Sequence, residues 1–284
     1  MSLPRLDRSE SDRLVHAEDQ DSGALARLSE IMARLRDPSD GCPWDIEQTS
    51  ASIARYTLEE AHEVVDAIER EAWDELKSEL GDLLLQVVFH SRMQEEAGHF
   101  ALPDVIRAIS DKMVSRHPHV FGDESRDKSV AQQSLDWEAL KAKERGPARV
   151  LDGVAMALPA LTRAVKLQNR AARVGFDWPD TGDVVAKIAE EAAEVVEARD
   201  ELSHEELSEE IGDLFFVMAN LARHLKVDPE AALRAANQKF TRRFERIEDF
   251  LAAEGRRPDQ SDLAEMDALW DRAKAEEKAT KARG

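Results

Sequence analysis

The sequence predicts an all-α fold built as two tandem helical-bundle domains, and three observations carry that expectation. Ala, Leu, Glu and Arg abound, aromatic residues make up only 5% and β-branched runs are few, a balance that favours helix. Apolar residues fall at helical spacing from Leu25 onward, and no stretch alternates as a half-buried strand would. The segment EEAHEVVDAI at 59–68 returns as EEAAEVVEAR at 190–199, and the same offset aligns KSELGDLLLQ at 77–86 with SEEIGDLFFV at 208–217. That offset is far longer than a solenoid unit of roughly 20–50 residues, so the pattern is a duplicated domain.

In chain order, residues 1–22 are polar and aperiodic and read as a flexible N-terminal tail. The first domain is expected over 23–145 and the second over 146–284. Each begins with a helix that ends near an aromatic turn, GCPWD in the first and GFDW in the second. The glutamate helix follows, then the helix that carries the GD pair. A basic element comes next, ISDKMVSRHPHVF at 109–121 and ANQKFTRRFERI at 236–247. Each half closes on a Trp-bearing helix of mixed charge, LDWEALKAKE or ALWDRAKAEE. Breaks are marked by RDPSDGCP, HPHVFGDESRD, ERGPARV, VGFDWPDTGD and EGRRPDQSD, with a charged connector around 122–158.

The bulk numbers exclude several function classes. A length of 284 residues with 42% hydrophobic residues supports two cores of ordinary size. The formal net charge of −20 repels DNA, RNA and anionic lipid at long range, so nucleic acid is not an expected partner. A small polyanion is repelled too, unless metal ions or local cations intervene. The single cysteine, Cys42, excludes an intrachain disulfide and a multi-cysteine zinc site, and in GCPWD it reads as a small apolar filler. No segment approaches the ~20 apolar residues of a membrane span, and a signal-peptide core is missing, so a cytoplasmic protein is expected.

The repeated acids carry the chemistry. On the first glutamate helix Leu58, Ala61, Val64, Val65 and Ile68 form an apolar stripe, with Glu60 and Glu63 along its edge and Glu59 and Asp66 turned toward water. Glu79 and Asp82 repeat the i,i+3 spacing on the next helix, which runs on as LLLQVVF and reads as apolar nearly all round, hence buried. Any one of these acids alone reads as a solvated helix face or a partner of the helix dipole. The set does not, because acids beside a core cost several kcal/mol to desolvate unless paired, and four together repel one another. A divalent cation answers both problems. The donors are all hard oxygens, which suits Mg2+ or Mn2+ rather than Zn2+. A di-iron bundle needs Glu-x-x-His pairs, and the pair Glu59–His62 has Ala193 in place of the histidine in the second copy. No P-loop or EF-hand sequence is present. His117 and His119 flank Pro118 and read as turn structure rather than metal ligands.

With Glu60, Glu63, Glu79 and Asp82, and again Glu191, Glu194, Glu210 and Asp213, the sequence resembles the MazG family of all-α nucleoside triphosphate pyrophosphohydrolases. GCPWDIEQT, RHPHVFGD, VGFDW and KFTRRF look like further family signatures, and the resemblance covers nearly all of the chain past the tail. It implies hydrolysis of NTP or dNTP to the monophosphate and pyrophosphate with Mg2+, two MazG-like domains and a homodimer. Carried over, the metal ligands match Glu191, Glu194, Glu210 and Asp213, and the nucleotide contacts match Lys187, Lys239, Arg242, Arg243 and Trp270. Glu190 is a candidate to orient water. Trp270 reads equally as a stacking face or as a helix-packing anchor.

The first half keeps all four acids but has Tyr56 where the second has Lys187, and its basic element is sparser, so the second half is expected to be the main catalytic unit. Glu206 and Glu209 add negative charge just before the second-half ligands. The competing reading is a non-catalytic helical module that binds nucleotide or a partner.

Overall fold

The computed structural model describes residues 23–123 and 149–282, together with 125, 127, 129, 130, 132, 133, 136 and 137. The tail at 1–22 and most of LDWEALKAKE lie outside the described residues. The chain divides into two compact units, Met1–Glu144 and Arg145–Gly284. Every regular element among the described residues is helical.

The first unit runs α1 (Ala24–Leu35), α2 (Pro43–Glu47), α3 (Ser50–Glu69), α4 (Trp73–Glu96), α5 (Leu102–Arg116) and α6 (Pro118–Phe121). Helix α3 starts where Thr49 caps it, its hydroxyl accepting from the Ser52 amide at 3.2 Å while the Ser52 hydroxyl accepts from the Thr49 amide at 3.0 Å. Helices α3 and α4 form the central antiparallel pair, and α1 and α5 pack on α4. Their apolar faces meet in a core of Met32, Ile53, Val88, Phe89 and Met93, flanked by Leu28, Tyr56, Leu85 and Leu102. Arg36 fastens the GCPWD turn to this core. It pairs with Glu96 at 2.7 Å, donates to the Asp45 and Gln48 carbonyls, and lies over the Phe89 ring.

The second unit repeats the plan with α7 (Ala160–Ala172), α8 (Thr181–Glu201), α9 (His204–His224), α10 (Pro229–Ala253) and, after a 3-10 turn at Pro258–Gln260, α11 (Leu263–Lys281). Here α8 pairs with α9, α7 packs on α9 and α10, and α11 lies along α10. Asp180 caps α8 by accepting from the Gly182 and Asp183 amides. Ser203 caps α9 by accepting from the Glu206 amide at 3.3 Å, and the Glu206 carboxylate accepts from the Ser203 amide at 2.9 Å. Glu206, which the sequence suggested as added charge near the ligands, is therefore a capping residue. The Ser203 amide and hydroxyl hold its carboxyl below the usual range. The VGFDW turn is tied to α9 through Asp177, which contacts Arg223 and His224.

Two expectations about burial need correction. The GD helix is not covered all round within one chain. Helix α4 buries Val88, Phe89 and Met93 but exposes Leu80, Leu84 and Val87. Helix α9 buries Val217 and Ala219 but exposes Ile211, Phe215 and Met218, the positions equivalent to the exposed three on α4. The physical reason is that each GD helix has its hairpin partner on one side and the first helix on another, and the i, i+4, i+7 stripe faces neither. The α3 stripe is likewise only partly covered: Leu58 and Ile68 are about half exposed and Ala61, Val64 and Val65 partly buried, while the buried residues of α3, Ile53 and Ala67, lie outside it.

The capping pair at α9 sets a first prediction. Ser203→Ala removes the acceptor for the Glu206 amide and lowers the unfolding free energy by about 1 kcal/mol, read in a denaturant melt, with helix content unchanged in the folded state.

Candidate metal and nucleotide site

Each hairpin brings its acids together across two helices. In the first unit Glu60 from α3 and Glu79 and Asp82 from α4 place one carboxylate oxygen each within 4.8 Å of the others. In the second, Glu191 and Glu194 from α8 and Glu210 from α9 do the same. The i,i+3 spacing puts two acids on one helix face, and antiparallel pairing brings the facing acids to the same level. Of the four acids the sequence singled out in each half, three form the close group. Glu63 sits beside the first group, in hydrogen-bond contact with both Glu60 and Glu79. Asp213 is exposed and stands outside the second.

The electrostatics of the two groups differ. Burial, then the charges of Asp82 and Glu63, pushes the Glu60 carboxyl above the ordinary carboxylate range. Burial, then Glu63 and Asp82, does the same to Glu79. Within the first group no cation offsets the raised carboxyls of Glu60 and Glu79 among the causes of their shifts. The second group contains a cation. Lys187, one turn before the acids on α8, places its Nζ 2.7 Å from Glu190 and 2.7 Å from Glu191, and Glu191 is only 5% exposed. Those two hydrogen bonds raise the lysine well above its usual range, so it stays charged. Even so, burial keeps Glu194 raised against the opposing pull of Lys187. The donor set in both halves is oxygen only. It fits a hard divalent cation, and the unrelieved negative charge is what such an ion neutralises.

The other expected contacts are spread along α10 and α11. Lys239 and Arg242 are exposed. Arg243 is half-buried, pairs with Glu277 at 2.9 Å and lies over the Trp270 ring at 5.4 Å. Trp270 also meets Phe240 at 5.3 Å, so it packs α10 against α11, while Phe240 stacks on Phe244 yet remains 59% exposed. Neither Arg243 nor the exposed pair forms an ion pair with the acids. His117 turns its Nδ1 to the Met113 carbonyl at 2.6 Å and meets the His119 and Trp137 rings, a turn structure.

One residue in the first site escaped the sequence reading. Gln86, buried on α4, lines a cavity shared with Glu60, and its Oε1 has no hydrogen-bond partner. The signal was a lone polar residue inside LLLQVVF.

Comparison with known proteins follows the same division. The model of the MazG nucleotide pyrophosphohydrolase domain matches twice, at residues 48–121 and 182–247, each match spanning one acid pair of helices. The chain is 50% identical over 258 residues to the nucleoside triphosphate pyrophosphohydrolase of Escherichia coli K12, covering 89% of this chain and 98% of that protein. It is 43% identical over 249 residues to the nucleoside triphosphate pyrophosphohydrolase/pyrophosphatase MazG of Thermotoga maritima, covering 87% and 94%. The Bacillus subtilis protein YabN, of uncharacterized function, is 43% identical over 254 residues, with 87% of this chain and 51% of that protein covered.

The raised carboxyls make metal-free stability depend on pH. A carboxyl whose folded pKa lies above its unfolded value binds more protons in the folded state between those two values, so stability falls as pH rises through that window. With EDTA present, the melting temperature therefore rises as pH is lowered from 8 toward the ordinary Glu value near 4.5. Below it, the depressed carboxyls of Glu96, Asp177 and Glu265 lose their pairing and the trend reverses. Saturating Mg2+ flattens the upper part of the curve. A metal-free melting temperature that climbs steadily from pH 5 to pH 8 would contradict this account.

Proposed function

Because the chain belongs to the MazG nucleotide pyrophosphohydrolase family, we propose that it hydrolyses nucleoside triphosphates, ribo- or deoxyribo-, to the monophosphate and pyrophosphate in a Mg2+-dependent reaction. The observation that carries this reading is the second-unit oxygen triad with a charged lysine laid into it. Glu191, Glu194 and Glu210 would hold the metal, with Asp213 one turn beyond Glu210 completing the set. A bound Mg2+ supplies neutralisation of phosphate oxygens and lowers the pKa of a ligated water, and Mn2+ can take its place.

The chain's own residues do the rest. Lys187 balances Glu190 and Glu191, and its flexible stem would let the ammonium turn to the phosphates if a bound cation offset those acids. Glu190, freed from the lysine, accepts a hydrogen bond from the attacking water. The water oxygen bonds to the α-phosphorus, its proton passes by way of the Glu190 carboxylate to solvent, the bond to the bridging oxygen breaks, and pyrophosphate leaves. Lys239, Arg242 and Arg243 add positive charge along α10, and Trp270 offers a ring edge beside it. In the first unit Tyr56 stands in place of the lysine, which supports assigning most of the turnover to the second. The family's relatives are bacterial, no helix among the described residues is long and apolar enough to cross a membrane, and we place the reaction in the cytoplasm.

Product analysis tests the reaction. With Mg2+ and a panel of NTPs and dNTPs, pyrophosphate and monophosphate form in equal amounts, EDTA abolishes the activity, and Mn2+ restores it. Orthophosphate with a diphosphate as first products would sink the assignment. Glu194→Ala, Glu210→Ala or Asp213→Ala lowers kcat/KM by about two decades or more, the scale of losing metal-borne charge stabilisation. Asp82→Ala or Glu63→Ala leaves most of the turnover, and circular dichroism shows all five variants folded. The reverse ranking would move the working site to the first unit.

We also propose that the protein works as a homodimer, in which a second copy covers the exposed Leu80–Leu84–Val87 and Ile211–Phe215–Met218 stripes. Two such stripes at equivalent positions are what a packed helix face looks like with its partner removed. Sedimentation of the wild type gives twice the chain mass, and Phe215→Glu with Leu84→Glu shifts it to the monomer; a wild type that sediments as one chain would contradict the dimer.

A further inference from the structure

We propose that the cavity beside the first acid triad is a second nucleotide site, in which a nucleobase bearing an exocyclic amino group donates to Gln86 and Asp45. The inference rests on the nucleotide reading above and extends it to the unit that lacks the lysine.

The cavity measures about 350 Å3, within the range of small-ligand sites. Trp44 and Tyr56 stand at its side, ring centres 6.4 Å apart and tilted by 58°, and Phe89 and Leu85 supply apolar floor. Trp44 is 52% exposed, so an indole face is open to a planar ligand at low cost. Two groups in this apolar setting need donors. Gln86 is 8% exposed and its Oε1 meets no hydrogen-bond partner. Asp45 is half-buried at the cavity wall, and its carboxylate makes no hydrogen bond or ion pair among the described residues. A buried acceptor without a donor costs free energy that a ligand N–H returns on binding. Amino-bearing bases present such a group on their pairing edge, whereas uracil presents a carbonyl oxygen at the equivalent position.

The position of Glu60 decides that the ligand is a nucleotide rather than a free base. It lines this cavity and is also a member of the first oxygen triad. A base seated between Trp44 and Gln86 therefore has its phosphates led toward a cation-binding group of acids. Beside the same wall Arg55 donates to the Tyr56 hydroxyl at 2.5 Å, lies over its ring at 4.6 Å and forms no ion pair among the described residues. It supplies a positive charge one residue before Tyr56, the position where the second unit has Lys187.

The test measures equilibrium binding, not turnover, on the full chain carrying Glu191→Gln and Glu210→Gln to silence the second triad. CTP and UTP serve as probes with Mg2+, because the cytosine amino group carries two N–H donors, one for each of Gln86 and Asp45, whereas uracil's pairing edge carries a single ring N–H, and inorganic tripolyphosphate controls for phosphate binding alone. CTP binds about tenfold more tightly than UTP, and tripolyphosphate more weakly than either. Adding Gln86→Leu erases the CTP preference. Trp44→Ala, at an exposed position that leaves the fold intact, weakens both nucleotides but not tripolyphosphate. Equal or tighter binding of UTP overturns the proposal, as does a CTP preference that survives Gln86→Leu. Pyrophosphate release by the wild type is followed in parallel. If that release is normal while the silenced chain binds no nucleotide, the second site is refuted and the hydrolase reading stands. If the wild type releases no pyrophosphate from any nucleotide, the hydrolase reading is what fails.

Discussion

Crowded negative charge is the constraint from which both halves of the molecule take their shape. An α-helical hairpin with acids at i,i+3 on each arm brings three carboxylates of each unit within a small area beside a core, where their mutual repulsion is less screened than in open water. The two units answer this differently. In the first, burial and neighbouring acids hold the Glu60 and Glu79 carboxyls above their ordinary range, and the second lays the Lys187 ammonium against Glu190 and the buried Glu191. Neither answer is as good as a divalent ion, which brings two charges and several coordination positions to one point. Acids crowded in this way cost stability that a bound cation would restore, a trade expected at a functional site and unexpected at a structural one.

Much of the fold was legible because the duplication supplied its own control. One copy of an acidic, apolar-spaced segment is ambiguous, but two copies in one register mark which positions matter. The helices, the hairpin order and the GCPWD and VGFDW turns follow from spacing and breakers, and the caps at Thr49, Asp180 and Ser203 sit where Ser, Thr and Asp are expected. Less legible was which acids meet. Helical spacing places Glu60 and Glu63 on one arm, but which of them approaches the facing arm depends on side-chain rotamers and on the crossing of the helices. That is why Glu63 falls outside the first triad and Asp213 outside the second. Partner choice by cations was also hidden, since charge type along a sequence does not say whether Arg243 finds Glu277 across α10 and α11.

The burial correction has the same origin. Periodicity reports that a face is apolar, not what covers it. LLLQVVF reads as buried, and inside one chain only part of that helix is: Val88 and Phe89 enter the core while Leu84 and Val87 look outward. The outward stripe recurs on α9 at the equivalent positions, so it belongs to the duplicated plan and not to accident in one unit. The stripe is apolar in both units and lies on the helix that also carries the acids, so the proposed dimer would tie assembly to the site. Covering it would remove water from beside the carboxylates and sharpen their need for a cation.

Duplication also frees one copy to change. The helix after the acids is the clearest case. In the second unit α10 runs unbroken from Pro229 to Ala253 and carries Lys239, Arg242 and Arg243 along its length, whereas α5 stops at Arg116, before the His117–Pro118 step. Proline lacks the amide that would continue the ladder and pushes its predecessor out of helical geometry, so the first unit cannot present cations in that manner. Tyr56 in place of Lys187 follows the same direction: cationic recognition is reduced while the oxygen donors are kept. What the first unit has instead is aromatic surface at Trp44 and Tyr56 and, at Gln86, an amide oxygen without a hydrogen-bond partner among the described residues. Metal-dependent attraction for the phosphates with recognition moved to the base is one self-consistent way for such a unit to hold a nucleotide. It discriminates between bases better than a site held by charge, because charge–phosphate contacts are the same for every nucleotide and hydrogen bonds to a base edge are not.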